Sequence, residues 1–343
     1  MNRVLIVRLS ALGDIVHALP VLFALKRAMP SLLVDWLVEA NYAPLLSLVP
    51  ELDRRVVVRA KSSGASANTV TFGGGVGYLR AVSFLRSQRY DAAVDLQGLI
   101  KSAFWARASG ARRVIGFDRG HLREPQARAL YTETVTPPTA GHVIDKNLAV
   151  LKALDVADAP VELRLQPPAS AAVLAAIEAV GGPKKFIVLN PGAAWPNKRW
   201  PADRFGAVAA AIFRRTRVKS LITWGPSERA LAESVAASSG GAATLAPATS
   251  VGDLALLMRD AALAVSGDTG PLHIAAAMGT PIVGLYGPTW PERNGPWDPR
   301  DHVISRADTC VCHHKRHCLR GAPCINDIAV EQVVAAAERR MRR

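Results

Sequence analysis

One pattern constrains this chain above all. Short β-branched runs end on glycine-containing turns and open directly into apolar-periodic helices, repeatedly. Residues 4–9 run into Ser10-Ala-Leu-Gly-Asp14, and then Ile15, Val16, Leu19, Leu22, Phe23 and Leu25 recur at helical spacing. Pro20 falls in the first turns of that helix, where its missing N–H costs least. Further strands are expected at 32–39, 54–59, 92–96 and 112–117. The alternation restarts after Leu165-Gln-Pro-Pro-Ala169, which reads as an interdomain linker. Strands follow at 186–190, 218–222, 263–267 and 281–286, with a last helix from about Val330. Such alternation implies parallel sheets with helices on both faces. At 343 residues, two domains are expected, 1–165 and 166–343. The stretch 62–77, with Gly73, Gly74, Gly75 and Gly77, reads as a flexible loop.

Parallel α/β sheets bind ligands outside the carboxyl ends of their strands. The loops that matter are therefore 10–14, 97–101, 191–198, 224–228 and 267–273, and two domains facing one another would place them across one cleft. Gly267-Asp-Thr-Gly-Pro-Leu-His273 follows a strand and opens a helix, with Pro271 near its first position. Backbone N–H groups of Asp268, Thr269 and Gly270 would point out of that helix and suit a diphosphate. An ordinary helix capped by Asp268 or Thr269 fits the same residues. Asn190-Pro-Gly-Ala-Ala-Trp-Pro-Asn-Lys198 is a second strand-end loop. There Gly192 allows close backbone approach, and Lys198, on a loop flanked by Pro196 and Pro201, could neutralise a leaving phosphate or simply be a surface lysine. Asp14, near a helix N-terminus, could accept a proton or merely cap the helix.

Charge and cysteines bound the partners. The chain carries 42 Lys and Arg against 28 Asp and Glu, a formal +14, and residues 54–128 hold 14 basic against 4 acidic residues. That excess fits either a solvated surface or an anionic partner. Aromatics make up only 6%, and no RNP or helix-turn-helix signature is present, so a nucleic-acid partner is not expected. No apolar run reaches membrane-spanning length, and Arg8, Asp14 and His17 interrupt the apolar N-terminus, so a cytoplasmic protein is expected. Cys310, Cys312, Cys318 and Cys324, interspersed with His313, His314 and His317, lack the paired C-x2-C turns of a zinc site. Reduced cysteines in a loop are the plainer reading. No Walker, H-E-x-x-H or G-x-S-x-G motif occurs.

Taken together, residues 4–20, Asp95-Leu-Gln-Gly-Leu-Ile-Lys-Ser102, Lys198-Arg-Trp-Pro201 and Asp268-Thr-Gly-Pro-Leu-His273 resemble the bacterial lipopolysaccharide heptosyltransferases, glycosyltransferase family 9. The resemblance runs over nearly the whole chain. Asp35-Trp-Leu-Val-Glu39 and Arg123-Glu-Pro125 look most like the heptosyltransferase I branch, whereas the cysteine segment is more like other members. The resemblance implies a GT-B fold, two Rossmann-like domains with parallel sheets facing across a cleft. It implies inverting transfer of heptose from ADP-heptose to a Kdo-bearing lipid A acceptor, without metal or other cofactor. Asp14 would be the general base. Lys198, Glu228, Thr249, Asp268, Thr269, Gly270 and His273 would hold the donor, with Ala193 and Ala194 contributing backbone only. Arg59, Lys61, Lys101 and Arg123 would meet the phosphorylated acceptor. Attachment to the anionic inner-membrane surface is expected through charge, without insertion.

Overall fold

The computed structural model describes residues 1–66, 68–74, 76–156, 160–313 and 315–342; Gly75 and His314, named above, lie outside them. The chain forms two compact units, Met1–Gln166 and Pro167–Arg343.

The first unit holds strands β1 (Arg3–Val7), β2 (Leu33–Glu39), β3 (Arg54–Ala60), β4 (Gly64–Ser66), β5 (Thr69–Gly73), β6 (Ala92–Asp95), β7 (Arg113–Phe117) and β8 (Glu133–Val135). They form one sheet in the order β4-β5-β3-β2-β1-β6-β7-β8. Every neighbouring pair is parallel except β4 with β5. Val4, Leu5, Ile6 and Val7 are all buried, as a strand covered on both faces requires. The helix expected after β1 is two helices, Leu12–Val16 and Leu19–Ala28, with Pro20 in the first turn of the second. Proline is tolerated there because that N–H would have no helical partner anyway.

Within 62–77, where composition suggests a flexible loop, the described residues Gly64–Ser66 and Thr69–Gly73 are strands. Thr69-Val-Thr-Phe is a β-branched run that pairs with β3, and Ser63 Oγ exchanges hydrogen bonds with both the N–H and the carbonyl of Gly73. A Cβ at Gly73 would lie 2.4 Å from the Ala60 carbonyl oxygen. This glycine serves close strand approach, not mobility.

The second unit holds β9 (Phe186–Asn190), β10 (Lys219–Ile222), β11 (Ala243–Leu245), β12 (Leu263–Gly267), β13 (Ile282–Tyr286) and β14 (His302–Ser305). They run in the order β11-β10-β9-β12-β13-β14, all parallel. Helix Ala202–Thr216 lays Phe205, Val208, Ala209 and Ile212 onto the core, where the terminal helix Val330–Met341 adds Val333 and Val334. Truncating such a residue, Ile212 for example, costs about 2–5 kcal/mol. Arg340 is buried and paired with Asp301 at 2.8 Å.

In both sheets the strand order reverses beside the first strand, between β1 and β6 and between β9 and β12. That reversal opens a crevice at the carboxyl ends of the strands, where open α/β sheets take their ligands. The loops leaving it are those that carry Asp14 and Lys101 in the first unit, and Lys198 and Asp268 in the second.

Candidate active site

In the second unit, Asp268 follows β12 directly and is 5% exposed. Four donors converge on its carboxylate. Lys198 Nζ donates to Oδ2 at 2.5 Å and Thr289 Oγ1 at 2.7 Å. Asn294 Nδ2 donates to Oδ1 at 2.7 Å, and His273 Nε2 lies 3.4 Å from the same oxygen. Burial by itself pushes this carboxyl up, but the bond from His273 and the nearby charges of Lys198 and His273 outweigh it. The group is held well below the usual carboxylate range. Asp268 therefore works inside the site, fixing Lys198 and His273 in place. The engaged carboxylate leaves the backbone N–H of Asp268 as the group that faces a diphosphate in the loop reading.

Thr269 caps helix Gly270–Ala277 in an extended conformation but makes no side-chain cap bond. Its hydroxyl is engaged behind the loop, accepting from Asn190 Nδ2 at 3.2 Å. Asn190 is buried at the end of β9 and also donates to Ser266 Oγ at 2.9 Å and to the Gly192 carbonyl at 3.2 Å. Its Oδ1 accepts from Thr223 Oγ1 at 3.1 Å. One amide thus ties together the ends of β9, β10 and β12. The first N–H groups of helix Gly270–Ala277 remain the natural anion site beside Lys198.

Lys198 closes a 3-10 turn, Pro196–Lys198, on a loop expected to be non-helical. The two prolines that argued against a helix restrict the run to a single tight turn. Its ammonium also lies 4.8 Å from the Trp195 ring centroid. Trp200 packs in the core, with Nε1 bonded to the Ile328 carbonyl at 3.1 Å. The Ala193 and Ala194 carbonyls accept from Arg199 and Arg316, which leaves N–H groups as their means of meeting a ligand.

Glu228 explains Gly192 differently from close ligand approach. A Cβ at Gly192 would lie 2.1 Å from Glu228 Oε2, so the bare glycine makes room for that carboxylate. The same oxygen accepts from the Gly225 N–H at 3.1 Å. Thr249 is half-buried in the segment after β11, which Trp224 Nε1 joins to the β10 loop through the Ala246 carbonyl at 2.9 Å. Lys198, Glu228, Thr249, Asp268 and His273 thus all leave the carboxyl edge of one sheet. Thr289, Asn294 and Asn190 were not anticipated. The run Gly287-Pro-Thr-Trp-Pro291 directly after β13 was the available signal for the first two.

The cysteine segment buttresses this loop. Cys310, Cys312 and Cys324 are buried together with Cys318 packed against them, and the Cys310 and Cys312 sulfurs lie 3.6 Å apart. Burial, then the Cys310 neighbour, push the Cys324 thiol up to about 12. Asn197, next to Lys198, donates to Cys312 Sγ at 3.9 Å and to the Lys315 carbonyl at 2.8 Å. Among the described residues, no group of three His, Cys, Asp or Glu side chains is arranged to hold a metal ion.

In the first unit, Asp14 stands in the first turn of helix Leu12–Val16 and pairs with Arg8 at 2.7 Å. Arg8 is itself buried and held by the Leu96 carbonyl. Gln97 Oε1 accepts from the Leu9 N–H at 2.8 Å, and the Glu39 N–H donates to the Leu9 carbonyl at 3.1 Å. Behind Gln97, Asp95 accepts from the Gln97 N–H, Ser102 and Tyr131, and burial pushes its carboxyl up against those bonds. Arg59 and Lys101 both reach Glu39 Oε1, each at 3.1 Å. Arg123 is exposed beside Gly98, its loop pinned where Glu124 accepts from the Ile100 N–H at 2.7 Å. Lys61 is exposed just beyond β3. The four basic candidates and Asp14 therefore all lie at the carboxyl edge of the first sheet.

A model of glycosyltransferase family 9 (heptosyltransferase) matches residues 79–322. Lipopolysaccharide heptosyltransferase 1 of Pseudomonas aeruginosa is 30% identical over 92% of this chain and 87% of its own length. Among solved structures, the family 9 glycosyl transferase of Veillonella parvula aligns with a TM-score of 0.79 at 23% identity, covering 99% of this chain and 97% of that one. The E. coli heptosyltransferase WaaC with ADP-2-deoxy-2-fluoro heptose aligns at 0.71 and 22% identity, covering 98% and 99%. The likeness to these structures gives the fold, GT-B.

Proposed function

Because the chain belongs to glycosyltransferase family 9, we propose that it moves heptose from ADP-heptose to the Kdo region of a lipopolysaccharide inner core, as a heptosyltransferase I-like enzyme, by an inverting reaction that needs no metal. The observation that carries this reading is the Asp268 cluster. It presents a fixed lysine and a helix N-terminus side by side at the switch point of the second sheet. Displacement at an anomeric carbon develops negative charge on the departing ADP. A pre-positioned ammonium and aligned backbone N–H groups stabilise that charge without reorganising. Lys198 meets the diphosphate, the N–H groups of Thr269 and Gly270 its oxygens, and His273 the sugar or phosphate. Glu228 and Thr249 meet the nucleoside side.

Asp14 is the general base on the acceptor hydroxyl, oriented by Arg8. Arg59, Lys61, Lys101 and Arg123 bind the phosphorylated, Kdo-bearing lipid A acceptor. In this reading the enzyme meets the lipid from the cytoplasmic face as a peripheral protein; no described helix is long and apolar enough to cross a membrane. A second reading, addition of a later heptose or use of another nucleotide sugar, is supported by the likeness to lipopolysaccharide heptosyltransferase 3 of Escherichia coli, 30% identical over 81% of this chain. The test is turnover of ADP-heptose, UDP-sugars and GDP-sugars on Kdo-lipid acceptors with and without a first heptose, in the presence of EDTA. Transfer from ADP-heptose to the heptose-free acceptor alone is the expected result. Transfer only to the heptosylated acceptor, or from another donor, would establish the second reading.

A further inference from the structure

Helices Gly77–Ser87 and Ile100–Ala108 follow β5 and β6, so both begin at the carboxyl edge of the first sheet. Their first two turns expose large apolar side chains. Leu79 is 76% exposed, Tyr78 and Phe104 51%, and Ile100 46%. Tyr78 and Phe104 meet through Trp105, with Leu79 next to Tyr78 in the chain and Ile100 one helical turn before Phe104. Tyr78 stacks on Trp105 at 5.5 Å, and Phe104 meets its edge at 5.9 Å. A soluble monomer seldom leaves such residues grouped, and a grouped apolar patch rimmed by polar residues marks an interaction surface.

The rim identifies the partner. The two helices carry Arg80, Arg86, Lys101 and Arg107, all exposed, and no acidic residue. Arg59 is the second-last residue of β3 and Lys61 stands just beyond its end, and Arg59 shares with Tyr78 and Trp105 the wall of a cavity of about 130 Å³. Aliphatic and phenyl groups at the centre, a tyrosine at the margin and long basic side chains around them match the depth profile of an anionic lipid interface. The carboxylates at this edge, Glu39 and Glu124, are engaged by Arg59, Lys101 and the Ile100 N–H, and Arg80, Arg86 and Arg107 keep the charge around the apolar tips positive, which an anionic headgroup matches.

We propose that Leu79, Ile100 and Phe104 insert into the acyl boundary of an anionic bilayer, with Tyr78 at headgroup level and Arg80, Lys101 and Arg107 on lipid phosphates. This rests on the reading above that the acceptor is a membrane lipid. It amends the expectation of attachment by charge alone, because apolar insertion does not weaken with salt. It also brings the bilayer to the edge of the sheet that carries Asp14.

The test is co-sedimentation with phosphatidylcholine vesicles, with and without phosphatidylglycerol, at 0.1 M and 1 M salt. Between these the screening length falls from about 10 to about 3 Å. Wild type is expected to prefer the anionic vesicles and to retain a substantial bound fraction at 1 M. The doubly substituted Leu79→Ser/Phe104→Ser chain should partition about tenfold or more weaker and be released completely by 1 M salt. Phe104→Trp should gain fluorescence that brominated acyl chains quench. Both positions are exposed, so an unchanged thermal midpoint verifies that the double variant is folded, and its turnover on a short-chain soluble acceptor should equal wild type. Vesicle binding is read without donor or transfer, so it stands or falls separately from the donor assignment. Salt resistance in the double variant equal to wild type would overturn the proposal. So would a wild type that ignores anionic vesicles and instead forms a dimer that the double variant lacks.

Discussion

Asp268→Asn is the most informative single change in the second unit. The substitution keeps the shape of the side chain but cannot keep its chemistry. Oδ1 accepts from Asn294 and faces His273, while Oδ2 accepts from Lys198 and Thr289. In either orientation an amide turns its NH2 group toward one of these pairs of donors, and the charge opposing Lys198 is gone. The Asp268 side chain is 3% exposed and that of Lys198 15%, so solvent restores little. Removing one partner of such a buried pair costs about 3–5 kcal/mol. For a unit of this size each kcal/mol lowers the midpoint by about 2–4 °C, so a fall of about 6–20 °C is expected by calorimetry. The pH dependence follows from the same contact. The Asp268 carboxyl is depressed in the folded chain, so its contribution is fully present above the ordinary carboxylate value of about 3.9 and declines as pH falls below it. The stability gap between wild type and Asp268→Asn should therefore be constant from neutral pH to about 5 and narrow below about 4. Turnover should fall with it, because Lys198 loses its fixed position. A variant melting within a degree of wild type, or a gap that widens in acid, would refute the hub role of Asp268.

Asp14→Asn should lower turnover by about 10²–10⁴-fold while leaving ADP affinity nearly unchanged by calorimetric titration; near-wild-type turnover would remove the base assignment. Lys198→Ala should reduce turnover and donor affinity together, His273→Ala more mildly, and EDTA should alter the kinetics of none of them; strict Mg²⁺ dependence would contradict the account. Neutralising Arg59, Lys61 and Arg123 together should raise the acceptor KM much more than the donor KM, and equal effects on both would assign those cations to solubility alone.

Sequence reading located the central strands of both sheets because these are buried on two faces and read as unbroken apolar runs. It missed β8, β11 and β14, each a three- or four-residue edge strand. Glu133-Thr-Val, Ala243-Thr-Leu and His302-Val-Ile-Ser lack that signature because an edge strand is paired on one side only. Glycine content misled at 62–77, where composition could not distinguish freedom from close packing. Within the site, Lys198, Asp268 and His273 were legible as residues at strand ends. Their joining through Asp268 was not, since Thr289 and Asn294 come from a loop 21 and 26 residues further on. Likewise Gly192 announced a close approach, yet only the structure shows that Glu228 makes it.

The pairing of Lys198 with Asp268 also sets how the two substrates should respond to ionic strength. With that cation already matched by a buried anion, the donor pocket offers direction more than net charge. Its affinity comes from oriented N–H groups and from a largely buried, paired Lys198, both of which salt screens little. The proposed acceptor edge is the opposite case, a field of exposed cations around Glu39 whose pull extends about one screening length. Raising salt from 0.05 to 0.5 M should therefore raise the acceptor KM steeply and leave the donor KM almost flat. A pocket so balanced also has little hold on sulfate or inorganic phosphate, so these common anions should be weak competitors against a nucleotide that fills the whole cradle.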